Sequence, residues 1–327
     1  MSFSFGFGSA DGDSSADVAA PITPARDAGR VTPVERPALA VLETTLQDAT
    51  WETVAVPPLR LRKRILKSAQ VEAPYAAELQ ESDLLPGVYE GGFKLWECAV
   101  DLAAYLAEQP TEDHAAVCGS AGMHVLELGC GHGLPGLVSL CRGAQVDFLD
   151  YNAEVLEQLT IPNVAAAAAD HGSTGCGADR AADRAAAGIF GSPADAEEMM
   201  GRARFFSGDW CGLLSDDSPA NGKYDLILTS DTLYNEACVR DLARLIPELL
   251  TDTGVAYIAS KRHYFGVGGG TADFHRQSAA VESSQAKSAS GEGRERERRS
   301  VEIKTVAEFE DGKSNARDLL AMRFASK

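Results

Sequence analysis

The residues with the clearest potential for chemistry lie between Val125 and Asp150, in the stretch VLELGCGHGLPGLVSLCRGAQVDFLD. An apolar run containing Glu127 opens this stretch, and a second apolar run closes it at Asp150. Four closely spaced glycines follow the first run: Gly129, Gly131, Gly133 and Gly136. Glycines let a backbone pass close to a ligand and take positive φ without steric cost, and a carboxylate that ends a strand can accept hydrogen bonds from a ribose diol. The order strand, glycine turn, helix, strand and acid therefore predicts a half-nucleotide-binding unit.

Two cofactors fit this motif equally well. The spacing GxGxxG, which begins at Gly131 and is followed by an acid about 20 residues on, matches the dinucleotide fingerprint. The spacing ExGxGxG, which begins at Glu127, matches the loop typical of methyltransferases that use S-adenosyl-L-methionine (SAM). In the second interpretation Glu127 faces the methionine end of SAM, which carries an ammonium group. The motif alone leaves the choice open.

Two pairs of an acid and a tryptophan lie at other predicted loop positions. Trp96 and Glu97 follow a Gly-Gly pair where a helix is predicted to begin, which makes a site at least as reasonable as a core position. Asp209 and Trp210 follow a predicted strand that ends at Ser207. The carboxylate there could reach an adenine amino group, with the indole beside the ring.

The elements that must position these residues alternate between strands and helices. Five predicted strands belong to β-α units, and the fourth, from Tyr224 to Leu228, runs into the polar segment TSDTLYN. In an open α/β sheet that end of a strand lies beside the ligand crevice. Two last strands, near Val301–Phe309 and Asp318–Phe324, read as an antiparallel hairpin. The closing hairpin favours a Rossmann-like, seven-stranded, mostly parallel SAM-methyltransferase sheet over a NAD-linked domain.

Bulk properties narrow the class of protein further. The chain has 327 residues, a net charge of −18 and seven cysteines without CxxC spacing. The cysteines predict a reducing compartment and no structural metal, and the acidity argues against general nucleic-acid binding. No apolar run approaches the ~20 residues that span a bilayer, and no secretory signal is visible.

Several segments are predicted to lie outside the folded domain. Residues 1–80 are predicted to be a largely disordered or partly helical extension, with ordered structure from about Ser82 and a methyltransferase domain over 81–327. The basic run Arg60–Lys67 is predicted to be a solvated helix face. Insertions are predicted over Ala165–Gly201, with a helix at Ala178–Ala187, and over Ala279–Arg299.

Six segments of the chain carry a closer resemblance. They are GVYEGGFKLWECAVDL, VLELGCGHGLPGL, FLDYNAEVLEQLTIPNV, FFSGDW, KYDLILTSDTLYN and ASKRHYFGVGGG. Together they closely resemble the protein-histidine N-methyltransferases, a branch of the seven-β-strand protein methyltransferases, over roughly Ser82 to Phe274. The resemblance implies methyl transfer from SAM to a histidine ring nitrogen of a basic large-subunit ribosomal protein, in the cytoplasm or nucleus. The alternatives are a lysine methyltransferase of the same fold and a catalytically silent ribosome-assembly factor.

The resemblance and the predicted strand ends together assign roles to individual residues. The predicted cofactor-binding residues are Trp96, Glu97, Glu127, Gly129, Gly131, Gly133, Asp150, Asn152, Asp209 and Trp210. The predicted catalytic residues are Asp231, Tyr234 and Asn235, which follow the fourth strand and would stabilise positive charge passing to the imidazole. His263, in the loop after the fifth strand, is either a base or a positioning residue.

Overall fold

The structure, a computed structural model, describes residues 29–57, 59–66, 89–108, 120–171, 193–220, 222–288, 300–312 and 315–325. The strands are β1 (Thr32–Pro33), β2 (Thr50–Val56), β3 (Leu59–Ile65), β4 (His124–Leu128), β5 (Gln145–Asp150), β6 (Ala203–Ser207), β7 (Tyr224–Ser230), β8 (Leu250–Lys261), β9 (Val301–Phe309) and β10 (Arg317–Phe324). The α-helices are α1 (Leu39–Asp48), α2 (Glu97–Glu108), α3 (Leu134–Cys141), α4 (Ala153–Val155), α5 (Ile161–His171), α6 (Pro193–Gly201), α7 (Glu236–Leu249) and α8 (Thr271–Ser288). A π-helical turn spans Leu156–Thr160 and a 3₁₀ turn spans Trp210–Leu214.

Eight of the described strands form one sheet, in the order β1-β6-β5-β4-β7-β8-β10-β9. Strands β6, β5, β4, β7 and β8 are mutually parallel, whereas β10 runs antiparallel to both β8 and β9. This arrangement confirms the predicted fold class, including the antiparallel hairpin at the end of the chain. The eighth strand was not predicted from the sequence. It is the two-residue β1, which pairs antiparallel with the outer edge of β6.

Helices cover both faces of the sheet, and a hydrophobic core lies between the sheet and the helices on each face. Alternate side chains of β4 point to opposite faces, so Val125 joins the core beneath α2, α3 and α5 while Leu126 joins the core beneath α7. Because a parallel sheet is buried on both faces, its strands are near-continuous apolar runs. Because β4, β5 and β7 are parallel, their carboxyl ends meet at one edge of the sheet, and the predicted site residues lie there.

The N-terminal part of the chain is more ordered than predicted. Residues 50–65 form an antiparallel β2–β3 hairpin, and Val56 and Leu61 of that hairpin are buried in the core beneath α2 and α5. The prediction of a helix face for Arg60–Lys67 is wrong, because Leu59–Ile65 is strand β3. Two of its arginines have polar partners on α5 and the preceding turn: Arg62 binds Asp170, and the Arg64 guanidinium donates to the Gln158 carbonyl oxygen. The proposed boundary near residue 80 stays a prediction.

Helices enter both predicted insertions, whose bounds stay predictions. Helix α5 begins at Ile161, with Pro162 in its first turn, where proline is tolerated, and it continues to His171 with Ala166 and Ala168 buried. Helix α8 likewise extends into the second predicted insertion as far as Ser288. The predicted helix at 178–187 lies outside the described residues, as do 289–299. None of the described helices combines the length and apolar character that crossing a membrane requires.

Candidate active site

A cleft lies at the carboxyl ends of β4, β5 and β7. Eight of the thirteen predicted site residues line it: Trp96, Gly129, Gly131, Asp150, Asp209, Trp210, Asp231 and Tyr234. The other five lie outside the lining: Glu97, Glu127, Gly133, Asn152 and Asn235. His263 is exposed and also lies outside the lining. The cleft therefore brings together residues from five segments. One is the entry loop before α2, residues 90–96, and the other four lie at the carboxyl ends of the parallel strands β4, β5, β6 and β7, where such a sheet is expected to bind ligands.

The glycine loop forms the floor of the cleft through two left-handed backbone positions. Gly129 has φ +63° and Gly131 has φ +49°, a region that residues with a Cβ rarely adopt. A Cβ on Gly129 would lie 2.7 Å from Cγ2 of Thr232, and one on Gly131 would lie 3.3 Å from the carbonyl oxygen of Gly92. Glycine at these two positions therefore allows the loops that carry Gly92, Gly131 and Thr232 to lie in close contact.

Asp150 ends β5 and lies at the wall of the cleft. Its Oδ2 accepts a hydrogen bond from the Gly131 N–H at 2.9 Å, and its Oδ1 accepts one from the Asn152 N–H at 3.2 Å. Burial raises the pKa of Asp150 to about 6, although these backbone hydrogen bonds oppose the increase. At neutral pH the carboxylate is charged, and a carboxylate has enough lone pairs to accept further hydroxyl donors.

Glu127 is placed differently from the prediction. Its Oε2 accepts a hydrogen bond from the Gly136 N–H at 2.9 Å beneath the start of α3, and its side chain is buried rather than facing the cleft. Burial raises the pKa of Glu127 to about 8, and its Oε1 has no hydrogen-bond partner among the described residues. A carboxyl group in this position supports the glycine turn from below. Gly136 belongs to the same packing, since a Cβ there would lie 2.5 Å from Glu127 Oε2.

The remaining residues outside the lining hold neighbouring elements in place. Gly133 is the N-cap of α3, where a Cβ would lie 2.9 Å from Cγ2 of Thr160. Asn235 caps α7 by accepting a hydrogen bond from the Cys238 N–H at 2.8 Å. Asn152 accepts one from the Glu90 N–H at 3.3 Å. Glu97 begins α2 and forms a 3.3 Å ion pair with Lys261.

Asp231 connects the end of β7 to two other elements. Its Oδ1 accepts a 2.6 Å hydrogen bond from the Tyr264 hydroxyl, and its Oδ2 accepts a 3.0 Å hydrogen bond from the Cys98 N–H in the first turn of α2. A carboxylate at a helix N-terminus interacts favourably with the helix dipole. Asp231 has φ +52°, which makes it the one non-glycine residue with positive φ in the described ranges. Such strain persists only where surrounding contacts enforce it, and these contacts supply that enforcement.

Trp96 forms an aromatic wall that carries two cations. The Trp96 indole N–H donates to the carbonyl oxygen of Gly91 at 3.0 Å, which fixes the ring against the entry loop. The ammonium nitrogen of Lys94 lies 4.3 Å from the ring centroid, and that of Lys261 lies 5.0 Å from it. Both distances fall within the range of a cation–π interaction.

The polar cleft residues that sequence reasoning missed include Glu90 and His132. The carboxylate of Glu90 accepts a hydrogen bond from the hydroxyl of Tyr234. The ring Nε2 of His132 lies 3.2 Å from the carbonyl oxygen of Phe93, and burial lowers the pKa of His132 to about 4, so the ring is neutral. Glu90 stands directly before the Gly-Gly pair and His132 stands inside the glycine loop. Their positions in these two motifs were the available signals.

These observations fit SAM. The two left-handed glycines let the loop after β4 pass close to Thr232 and to the backbone of Gly92 beside the cleft, and Asp150 presents a carboxylate at the end of β5 for a ribose. Asp209 and Trp210 line the same cleft, where an acid and an aromatic face suit an adenine ring. Asp209 Oδ1 also accepts the Cys211 N–H at 2.9 Å, which orients its carboxylate.

Comparisons with known proteins agree with this assignment. A family model described as lysine methyltransferase matches residues 86–174 and 194–267. The chain is 38% identical over 246 residues to the histidine protein methyltransferase 1 homolog of Dictyostelium discoideum, covering 75% of this chain and 62% of that protein. For the Bos taurus homolog of the same name the identity is 41% over 199 residues, with coverage of 60% and 50%.

The Rattus norvegicus homolog is 38% identical over 240 residues, with coverage of 72% of this chain and 62% of that protein. The chain thus spans between half and about three fifths of the length of these relatives. The matches confirm the predicted family and, with it, the predicted cofactor, SAM. The chain belongs to the histidine protein methyltransferase family.

Proposed function

We propose that this protein transfers a methyl group from SAM to a ring nitrogen of a histidine in a protein substrate. One observation carries the proposal: a single cleft contains both the glycine loop with Asp150 and the group formed by Trp96, Asp231 and Tyr234. The first set suits a nucleoside and the second suits a planar, nitrogen-containing acceptor. The names of the relatives support histidine as that acceptor.

The proposed reaction needs no strong base. A histidine with a pKa near 6.5 is mostly neutral at cytosolic pH, so one ring nitrogen already has a free lone pair. SAM, when bound, supplies the electrophilic methyl group of its sulfonium. The residues of the cleft must then hold the imidazole in line and exclude water, and such orientation contributes several kcal/mol. Trp96 and Tyr234 are the aromatic walls available for this orientation.

We propose that Glu90 binds the imidazole nitrogen of the substrate that does not react. When one imidazole nitrogen attacks, the other carries an N–H that needs an acceptor, and positive charge develops on the whole ring. The Glu90 carboxylate lines the cleft and is oriented by the Tyr234 hydroxyl, while the Glu90 N–H is fixed by Asn152. With its backbone bound to Asn152 and its carboxylate bound to Tyr234, Glu90 can accept the imidazole N–H. It would thereby select the reactive tautomer and stabilise the developing positive charge.

Lysine is the second candidate acceptor, because the matching family model is described as lysine methyltransferase. The names of the curated relatives favour histidine. Lys94 and Lys261 lie over the indole ring, and nearby cations disfavour the protonated form of either acceptor. The charges therefore support a neutral, reactive imidazole but would favour a neutral amine equally.

We also propose that the substrate is a basic protein, and that a large-subunit ribosomal protein is the class to test first. The net charge of −18 supports a basic partner through complementary fields. The test is incubation with SAM labelled in its methyl group and a large-subunit ribosomal protein fraction, followed by acid hydrolysis and amino-acid analysis. Label in methylhistidine supports the proposal. Label in methyllysine contradicts it, and SAM binding without any label supports a catalytically silent assembly factor instead.

A further inference from the structure

The loop after β8 exposes apolar side chains beside the cleft. In the turn Tyr264–Gly268, named here the docking tip, Phe265 is 75% exposed and Val267 is 54% exposed. Large exposed apolar side chains number six over the described residues, and these two are the only pair within three positions of each other. A solvent-exposed phenyl ring forgoes the stabilisation that burial would give it, and grouped exposed apolar side chains mark interaction sites more than isolated ones do.

The docking tip is fixed to the active site from its own base. The Tyr264 hydroxyl donates to Asp231 at 2.6 Å, and the Tyr264 carbonyl oxygen accepts from the Gly268 N–H at 3.1 Å, which closes the turn. The Gly270 N–H then donates to the Leu233 carbonyl oxygen at 2.8 Å. A Cβ on Gly269 would lie 2.2 Å from that same oxygen, so the loop lies directly against the segment that carries Asp231 and Tyr234.

Acidic groups surround the base of the docking tip. Arg262, the residue two positions before it, pairs with three carboxylates, those of Asp318, Glu308 and Glu310. On the other side, a Cβ on Gly268 would lie 3.7 Å from Cγ of Glu236. One guanidinium among these four acids leaves an excess of negative charge. The surface therefore combines apolar side chains with an acidic border.

We propose that the docking tip binds the protein substrate itself, on the segment that carries the target histidine. The occupant has an apolar side chain that packs against Phe265 and Val267, flanked by lysine or arginine residues that face the acidic border. The inference rests on the proposed function, because it takes the occupant to be the methyl acceptor. Contact between the docking tip and Asp231 through Tyr264 explains how substrate docking would be registered at the reacting end of the cleft.

The test compares Phe265→Ser/Val267→Ser with Val306→Ser, a matched control whose apolar side chain is 38% exposed on β9. Methylhistidine formation is measured against the concentration of the large-subunit ribosomal protein fraction, and the Kd of SAM is measured by calorimetry. The docking proposal predicts a KM at least about tenfold higher for the double variant, as the loss of two apolar contacts would give. It also predicts unchanged kcat and SAM Kd, and no effect of Val306→Ser.

The outcomes separate the two proposals. Equal KM values for the double variant and Val306→Ser, with active wild-type protein, overturn the docking proposal alone. Sedimentation showing that the double substitution dissociates a wild-type dimer, with KM unchanged, also overturns it, because the occupant would then be a second copy of this chain. Absence of methylhistidine from wild-type protein overturns both the proposed function and the docking proposal that rests on it.

Discussion

Burial sets the charge on the two carboxyl groups nearest the glycine loop, and sets it differently for each. The pKa of Asp150 is raised to about 6 and that of Glu127 to about 8. At neutral pH Asp150 is therefore charged, which suits a hydrogen-bond acceptor at the cleft wall. Glu127 is mostly protonated and lies outside the cleft lining, so the predicted pairing with the ammonium of SAM does not follow from the structure.

The first prediction concerns the pH dependence of SAM affinity. Because the pKa of Asp150 is raised to about 6, affinity should fall as the pH is lowered through that value and the carboxylate gains a proton. Asp150→Asn should bind SAM at least about tenfold more weakly at neutral pH, the loss of about one charge-assisted hydrogen bond. Its affinity should also vary less with pH. Calorimetry across this range measures both effects, and full affinity in Asp150→Asn would contradict the placement.

The second prediction concerns stability and Glu127. The folded state keeps the Glu127 proton up to about pH 8, whereas the unfolded state loses it near its ordinary pKa of 4.5. Stability from this group is thus present at low pH and is lost as the pH rises between those values, by on the order of 5 kcal/mol. Glu127→Gln cannot ionise, so urea unfolding should show the variant gaining stability relative to wild type over that range.

SAM affinity provides the control for Glu127→Gln. A side chain buried beneath α3 should tolerate the neutral, isosteric substitution with an unchanged Kd. A tenfold or larger loss of SAM affinity would instead support the original sequence prediction that Glu127 faces the methionine end.

At the scale of elements, the site depends on how closely the glycine loop approaches the end of β7. Thr229 at that end donates its hydroxyl to the Leu128 carbonyl oxygen at 2.9 Å and shares a 2.6 Å hydrogen bond with the Thr232 hydroxyl. Gly129 lies against the methyl group of Thr232. The two strand ends are therefore held together without space for another side chain.

The third prediction uses this close approach. Gly129→Ala adds a methyl group 2.7 Å from Thr232 Cγ2, and Gly122→Ala, at φ +87°, adds one with nothing within 4 Å. Both variants carry the cost of positive φ, on the order of 1 kcal/mol, but only the first must displace the segment next to Asp231. Thermal unfolding and calorimetry should show a greater loss of stability and a loss of SAM affinity for Gly129→Ala alone. Equal behaviour of the two variants would contradict the role given to the close approach.

Sequence patterns predicted helices and strands best where apolar residues recur at regular spacing. They predicted them worst where charged residues interrupt the apolar alternation. Helix α7 is readily recognised in the sequence, because Leu242 and Ile246 recur at helical spacing. Strand β3 was missed because Arg62 and Arg64 conceal an alternation in which Leu61 is buried. Those arginines have partners far away in sequence, such as Asp170 and the Asn163 side chain, which no local pattern reveals.

For the whole molecule, topology explains which site residues could be predicted. Asp150, Asp209 and Asp231 all follow parallel strands, and parallel strands deliver their carboxyl ends to one edge of the sheet. The contacts that orient them were not predictable. The hydrogen bond from Tyr264 to Asp231 joins loops after different strands, and the pairing of Tyr234 with Glu90 spans 144 positions of the chain. The edge of the sheet that carries the site can be predicted from the sequence, whereas tertiary packing decides which side chains face the cleft.

The central claim is that one half of this cleft binds SAM and the other orients a histidine, with Glu90 accepting the N–H of the nitrogen that does not react. The most direct measurement is the rate of methylhistidine formation by Glu90→Gln, determined together with the Kd of SAM. The account predicts an unchanged Kd and a rate reduced at least about a hundredfold, within the range of a positioned acid–base group. An undiminished rate, or a loss of SAM affinity that accounts for the whole loss of rate, would contradict it.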